Sequence, residues 1–330
     1  MVRMKNAHLL PALAALAVTI AGSTLAWGQA APAVPQVAAR PQLVILDTDI
    51  GDDIDDAFAL ALVLRSPELR LLGITTEFGD TELRARLLDR YLAAVGRSDI
   101  PVAAGVRTPA AHHLTQAAYA LREPDRKHAD AVGFLLERIR AHPGQITLIA
   151  IGPLFNVQAA IERDPATFRK LKRVVMMGGS IYRGYDDKKT GDTHRPPSAE
   201  WNIRCDPAGA RALLNSGVPV YMLPLDSTQI HLQMPEQEEI YSHGSPLTDQ
   251  LTLLYHEWSG PKRWRIPTLY DPVAVTYTLR PDLCPATPLR LEVDGKGFTR
   301  PVAGPPNVQA CLHSDESGFL ELLLSRVTGK

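Results

Sequence analysis

The sequence predicts an α/β fold: a mostly parallel, open sheet flanked by helices, followed by a C-terminal helical and loop region. Three observations predict it. Short β-rich runs alternate with helical patterns from residue 42 to residue 226. Several of those runs are apolar throughout, as strands covered on both faces are. Polar or glycine-rich turns follow most of them, which is where open parallel sheets place their ligands.

The strands come first. "QLVILD" (42–47), "LRLLGITTE" (69–77), "IPVAAGV" (100–106), "ITLIAIG" (146–152), "KRVVMMGG" (172–179) and "VPVYMLPLD" (218–226) are short and rich in β-formers. Helical patterns lie between them, over 55–65, 81–95, 128–142, 154–164 and 207–216. In the third of these, Val132, Leu135, Leu136 and Ile139 follow the i, i+3, i+4, i+7 spacing of one helix face. The arrangement is Rossmann-like. After residue 226 the alternation weakens. A helix and a loop rich in tryptophan and basic residues are expected over 244–264, and an apolar helix follows Asp271.

Lys+Arg (35) nearly equals Asp+Glu (36) and no basic block occurs, so the composition argues against nucleic-acid binding. The N-terminus carries Arg3 and Lys5, then an apolar run of small residues, then Gly28 and Ala30 at the −3 and −1 positions of a cleavage site. Residues 1–30 read as a secretory signal peptide, 31–41 as a linker and 42–330 as a single catalytic domain. Pro11, Gly22 and the alanines make the leader a weak permanent span, so no stable membrane span is expected after cleavage. The protein is expected to be exported, to a periplasm or outside the cell. Cys205, Cys284 and Cys311 allow one disulfide and one free thiol, with the pairing open.

The stretch "DTDIGDDIDDA" puts Asp47, Asp49, Asp52, Asp53, Asp55 and Asp56 within ten positions at a strand end. Gly51 permits a tight turn there. Asp55 and Asp56 open a helix, where carboxylates are favoured, and one capping aspartate would meet that need. Six exceed it. A bound cation is the simplest neutraliser. The donors are all oxygens, which suits Ca²⁺ or Mg²⁺, and six to eight flexible ligands favour Ca²⁺. The spacing is not that of an EF-hand. A strand ending in DxD also opens the haloacid dehalogenase-type phosphatases. That reading lacks a later acidic motif, because "VVMMGGS" offers no acid.

The same stretch resembles the opening signature of the inosine–uridine-preferring nucleoside hydrolase family, DTDxG…DDA. Four further segments resemble that family in order: "ITLIAIGPLFNVQAAI" (146–161), "VVMMGGS" (174–180), "AEWNIRCDPAGA" (199–210) and "LYDPVAV" (269–275). The resemblance implies a Ca²⁺-dependent enzyme that cleaves the N-glycosidic bond of ribonucleosides, a small-molecule substrate. It implies Asp49, Asp56, the backbone carbonyl of Ile151 and Asp271 as metal ligands, with Asp49 also the general base. Asp55, Asp80, Glu200, Asn202 and Tyr270 are implied to bind substrate, and Asp47 to support them from behind. Glu200 and Asn202 are spaced i, i+2, which on an extended segment puts both on one face.

The departures are specific. Three residues separate Gly51 from the DD pair where the family commonly has one. Asp53 and Asp56 therefore compete for the second ligand position. Asp55 and Asp56 are assigned because they directly precede the alanine-rich helix. Asp80 stands where an asparagine is common, and Tyr270 where many members carry histidine. Trp258 and Trp264 lie where they could stack on a base, with core packing the plainer reading; His112 and His113 read as surface residues. The segment 182–198 reads as a lid, a homo-oligomer contact or a surface insertion. These departures also motivate an alternative: a non-catalytic nucleoside or sugar binder that keeps the pocket.

Overall fold

The computed structural model of the protein describes residues 40–109, 114–187, 190–261 and 265–330. The leader expected over 1–30 lies outside the described residues. So do the linker apart from Arg40 and Pro41, and His112, His113 and Trp264.

The first half of the chain runs through β1 (Gln42–Thr48), α1 (Asp55–Leu64), β2 (Leu69–Thr76), α2 (Thr81–Ala94), β3 (Val102–Ala104), α3 (Ala117–Ala120), β4 (Ala129–Asp130), α4 (Ala131–Ala141), β5 (Ile146–Ala150), α5 (Phe155–Arg163), α6 (Pro165–Phe168) and β6 (Arg173–Met177). It continues through α7 (Trp201–Cys205), α8 (Pro207–Leu214), β7 (Val220–Leu223), α9 (Leu225–Thr228), α10 (Met234–Tyr241), α11 (Pro246–Ser259) and α12 (Pro272–Leu279). The C-terminal part holds β8 (Ala286–Leu289), β9 (Leu291–Val293), β10 (Thr299–Pro301), β11 (Val308–Cys311) and α13 (Glu316–Thr328). Each expected strand and helix forms, mostly one to four residues shorter at its ends. Aspartates set several helix starts: Asp80, Asp130, Asp164 and Asp206 accept backbone N–H bonds as N-caps of α2, α4, α6 and α8.

Among the described residues the main sheet has nine strands in the order β4-β3-β2-β1-β5-β6-β7-β11-β8. Its pairings are parallel except β8 against β11. Along β1 the side chains alternate between two cores. Val44 and Leu46 join Phe58, Leu254 and Val273 on one face. Ile45 joins Leu135, Val157 and Leu213 on the other. Burial on both faces is why the strand reads as an unbroken apolar run.

β1 is paired with β2 on one side and β5 on the other. Chain progression reverses there, so the carboxyl ends of β1 and β5 flank a switch-point crevice. α1, which follows β1, packs on α12 from the far end of the sequence.

The C-terminal region adds strands that its sequence pattern did not announce. β11 extends the sheet beyond β7, and β9 pairs with β10 in a small ribbon. These strands are three or four residues long, and two carry proline, so neither alternation nor an apolar run marks them. A disulfide joins Cys284 to Cys311, and Cys205 is free.

Candidate active site

The acid-rich turn after β1 is built by its own polar side chains. Thr48 Oγ1 donates to Asp56 Oδ1 at 2.5 Å and accepts from the Ile50 N–H at 3.1 Å. Gly51 has φ +122°, and a Cβ there would lie 2.8 Å from Leu114. Capping does not account for the carboxylates. Ile54 holds the N-cap position of α1 with no side-chain cap bond. Asp271 holds the N-cap position of α12, and its carboxylate makes no cap bond either.

Those carboxylates meet instead. Asp55, Asp56 and Asp271 each offer an oxygen within 4.8 Å of the others, and all three are buried. Asp49 and Ile151 line the same cavity of about 670 Å³. Burial pushes the Asp49 carboxyl up to about 7; nearby Arg84 opposes that and Asp52 adds to it. Burial also drives Asp55, Asp56 and Asp271 well above the usual carboxylate range, and mutual repulsion adds to it. Clustered, buried, oxygen-only donors of this kind fit a hard divalent cation. Asp55, which the resemblance assigned to the sugar, joins this group alongside Asp56 and Asp271.

Asp47, at the end of β1, is fully buried. Its Oδ1 accepts from Thr75 Oγ1 at 2.5 Å and Asn156 Nδ2 at 2.8 Å. Burial raises its carboxyl to about 6 against those two bonds.

Glu200 and Asn202 both line the cavity, by a different geometry from the expected one. The segment is not extended. Glu200 is the N-cap of α7, and its carboxylate accepts from the N–H groups of Gly179, Asn202 and Ile203 at 2.9–3.1 Å. Asn202 lies in the helix, and its Nδ2 donates to the Ile151 and Met177 carbonyls, each at 3.2 Å. Asn202 thus orients the carbonyl that the resemblance makes a metal ligand. Asp80 differs from expectation. It caps α2, pairs with Arg107 at 3.3 Å and does not line the cavity. Its carboxylate is held at the helix N-terminus and by Arg107.

Four aromatic side chains share the cavity with the acids: Tyr185, Trp201, Trp258 and Tyr270. Tyr270 meets Tyr185 edge to face at 6.2 Å, and Arg265 lies over the Trp258 ring at 3.9 Å. Tyr185 and neighbouring Asp186 come from the 182–198 segment, whose first residues are anchored. The Tyr185 hydroxyl accepts from the Trp201 N–H at 2.8 Å, and Asp226 accepts from the N–H groups of Ile181, Tyr182 and Arg183.

Two functional neighbours escaped the sequence reading. Glu77, at the end of β2, is fully buried, and a Cβ at Gly152 would sit 2.8 Å from both its Oε1 and Asp49 Oδ1. Burial, followed by repulsion from Asp47, holds its carboxyl well above the ordinary range. Arg84 is the other, and it makes an ion pair with Asp52 at 2.8 Å. Helical spacing offered a signal: Arg84 falls three residues after Thr81 and four before Leu88, on the buried face of α2.

Fold and site together define a switch-point α/β protein whose buried acidic cluster and four aromatic side chains line one cavity. Comparison with known proteins makes that specific. The family model described as inosine-uridine preferring nucleoside hydrolase matches residues 44–321, and the chain belongs to that family of metal-dependent hydrolases of N-glycosyl bonds. The chain is 31% identical over 316 residues to the pyrimidine-specific ribonucleoside hydrolase RihA of Enterobacter sp. (strain 638), covering 86% of this chain and 97% of that protein. Among solved structures it is similar to the plant nucleoside hydrolase PpNRh1, with TM-score 0.76 and 27% identity over 88% of this chain and all of that one. It is also similar to the purine-preferring ribonucleoside hydrolase from Gardnerella vaginalis, with TM-score 0.72 and 25% identity over 87% and 98% of the two chains.

Proposed function

We propose that this chain hydrolyses ribonucleosides to ribose and free base, with Ca²⁺ as its metal and Asp49 as the base that activates water. One observation carries the reading. Acids from opposite ends of the sequence, Asp55, Asp56 and Asp271, converge beside Asp49 in a single cavity large enough for a nucleoside.

Asp49, Asp56, Asp271 and the Ile151 carbonyl would hold the ion, with Asp55 beside them. Bound there, Ca²⁺ supplies Lewis-acid contact to sugar hydroxyls and to a water. The remaining steps belong to the chain. Asp49 accepts the proton of the attacking water. The surrounding carboxylates stabilise the positive charge that grows on the sugar as the C1′–N bond breaks. Glu200 and Asn202 face the sugar. Tyr270 offers a hydrogen bond to the leaving base. Burial raises its hydroxyl above its ordinary range, so it stays protonated and serves as a donor.

Export belongs to the same reading. The N-terminal pattern of charged, apolar and small residues supports it, and so does the Cys284–Cys311 disulfide.

The test is ribose release by the purified protein from inosine, uridine, adenosine and cytidine, with and without a chelator. Release that a chelator abolishes and Ca²⁺ restores is expected. No release from any of the four would refute the activity, and chelator-resistant release would refute the metal.

A further inference from the structure

Arg84 lies within α2 and is fully buried. A guanidinium taken out of water must place its N–H donors on acceptors. Its Nε donates to the Phe78 carbonyl at 2.8 Å. Nη1 donates to the carbonyls of Ile50, at 2.9 Å, and Asp49, and Nη2 donates to Asp52 Oδ2 at 2.8 Å. These acceptors belong to two turns: the acid-rich one after β1 and the one between β2 and α2.

Both turns have conformations that need holding. Phe78 is the one non-glycine residue with positive φ, 62°, among the described residues. Its ring stacks on Phe155 and meets Trp201 edge to face, each at 6.2 Å, and Trp201 lines the cavity. The acid-rich turn is two residues longer than the common family pattern and carries the extra pair Asp52 and Asp53. It is gripped from its other side by the loop before α3. Gln116 N donates to the Gly51 carbonyl at 3.0 Å, Gln116 Nε2 to the Asp53 carbonyl at 2.9 Å, and Thr115 Oγ1 to the Asp52 carbonyl.

We infer that Arg84, clamped by Asp52, is the positioning residue for Asp49: it fixes the Asp49 and Ile50 peptide planes and so aims the Asp49 carboxylate. The longer turn supplies the acid that orients the clamp. Arg84 touches Asp49 through its carbonyl, so it acts on the reaction through Asp49's direction. The inference rests on the proposed hydrolysis and names a residue that reading does not use.

The experiment measures kcat, KM and thermal midpoint for R84M, R84K and D52A on the nucleoside the wild type cleaves best. Misaiming a catalytic group costs up to about 100-fold, so R84M is expected to lower kcat by about that factor while KM stays within about threefold. R84K keeps the charge but lacks the planar fork, and its kcat should fall between R84M and wild type. D52A should lower kcat by less than R84M does, again at unchanged KM. A folded R84M with wild-type kcat would overturn the inference. So would equal losses in R84M and R84K with KM rising in step, which marks general loosening. If R84M does not fold, R84K and D52A decide, and wild-type kcat in both overturns it. A wild type without turnover removes the hydrolase reading and this inference together; an active wild type with indifferent variants removes this inference alone.

Discussion

The backbone N–H of Asp271 donates to Asp55 Oδ2 at 3.3 Å, joining residues 216 positions apart. The bond forms because α1 and α12 pack side by side and both present acids at their N-terminal ends. Repulsion among these buried carboxylates opposes that packing unless a cation offsets it. Ca²⁺ is therefore expected to stabilise the fold. At a thousandfold excess over Kd the gain is about 4 kcal/mol. For a chain this long, that raises the thermal midpoint by about 6 °C. In D271N, a scan with and without Ca²⁺ should lose most of that difference. A full difference in D271N would place the ion elsewhere.

Asp49 differs from its neighbours in having both a cavity-facing carboxylate and a backbone held by Arg84. D49N keeps its shape and removes the proton acceptor. General-base loss costs about 10²–10⁴-fold, so kcat at saturating Ca²⁺ should fall by about a thousandfold, and because Asp49 would also hold the ion, the Ca²⁺ concentration for half-maximal activity should rise. Ribose release under saturating nucleoside reads this. Full turnover in D49N would move the base to another of the acids that line the cavity, Asp55, Asp56, Glu200 or Asp271.

Much of this was legible in the sequence, for physical reasons that differ by element. β1 and its acid turn are contiguous, so "VILDTDIGDD" announces a strand and a ligand cluster together. Asp271 looked like an ordinary helix N-cap, and only the family pattern tied it to Asp56; its position is set by the packing of α12 on α1, which no local pattern encodes. Arg84 reads as one charge among several on α2 until the turn after β1 is folded against it. Glu200 and Asn202 carried an extended-segment expectation that failed because Glu200 caps a helix. Its acceptors suit three converging N–H groups better than a strand edge.

Protonation gives a further check in the metal-free protein. The Asp47 carboxyl is raised to about 6 from an ordinary 3.8, chiefly by burial. The folded state then binds more protons than the unfolded one between those values. Stability is fully present below about pH 4 and is lost as pH rises through 6, by about 3 kcal/mol for this group alone. Asp49, raised to about 7, acts in the same direction. With a chelator present, the denaturation midpoint should therefore be higher at pH 5 than at pH 8. Adding Ca²⁺ should shrink or reverse that gap, since it favours the ionised carboxylates. A chelated protein that is more stable at pH 8 would contradict the raised values.

Tyr270 directly precedes Asp271 and lines the cavity beside Tyr185. As a hydrogen-bond donor to the departing base, it should matter in proportion to how much help that base needs. Y270F removes one neutral hydrogen bond, about 1 kcal/mol, and should lower kcat on a natural nucleoside by about fivefold to tenfold. It should leave a riboside with a 4-nitrophenolate leaving group unaffected, because that group departs as a stable anion without a donor. The ring of phenylalanine keeps the packing against Tyr185, so binding is preserved and KM stays near wild type. Equal losses on both substrates would assign Tyr270 to shaping the pocket rather than to the leaving group.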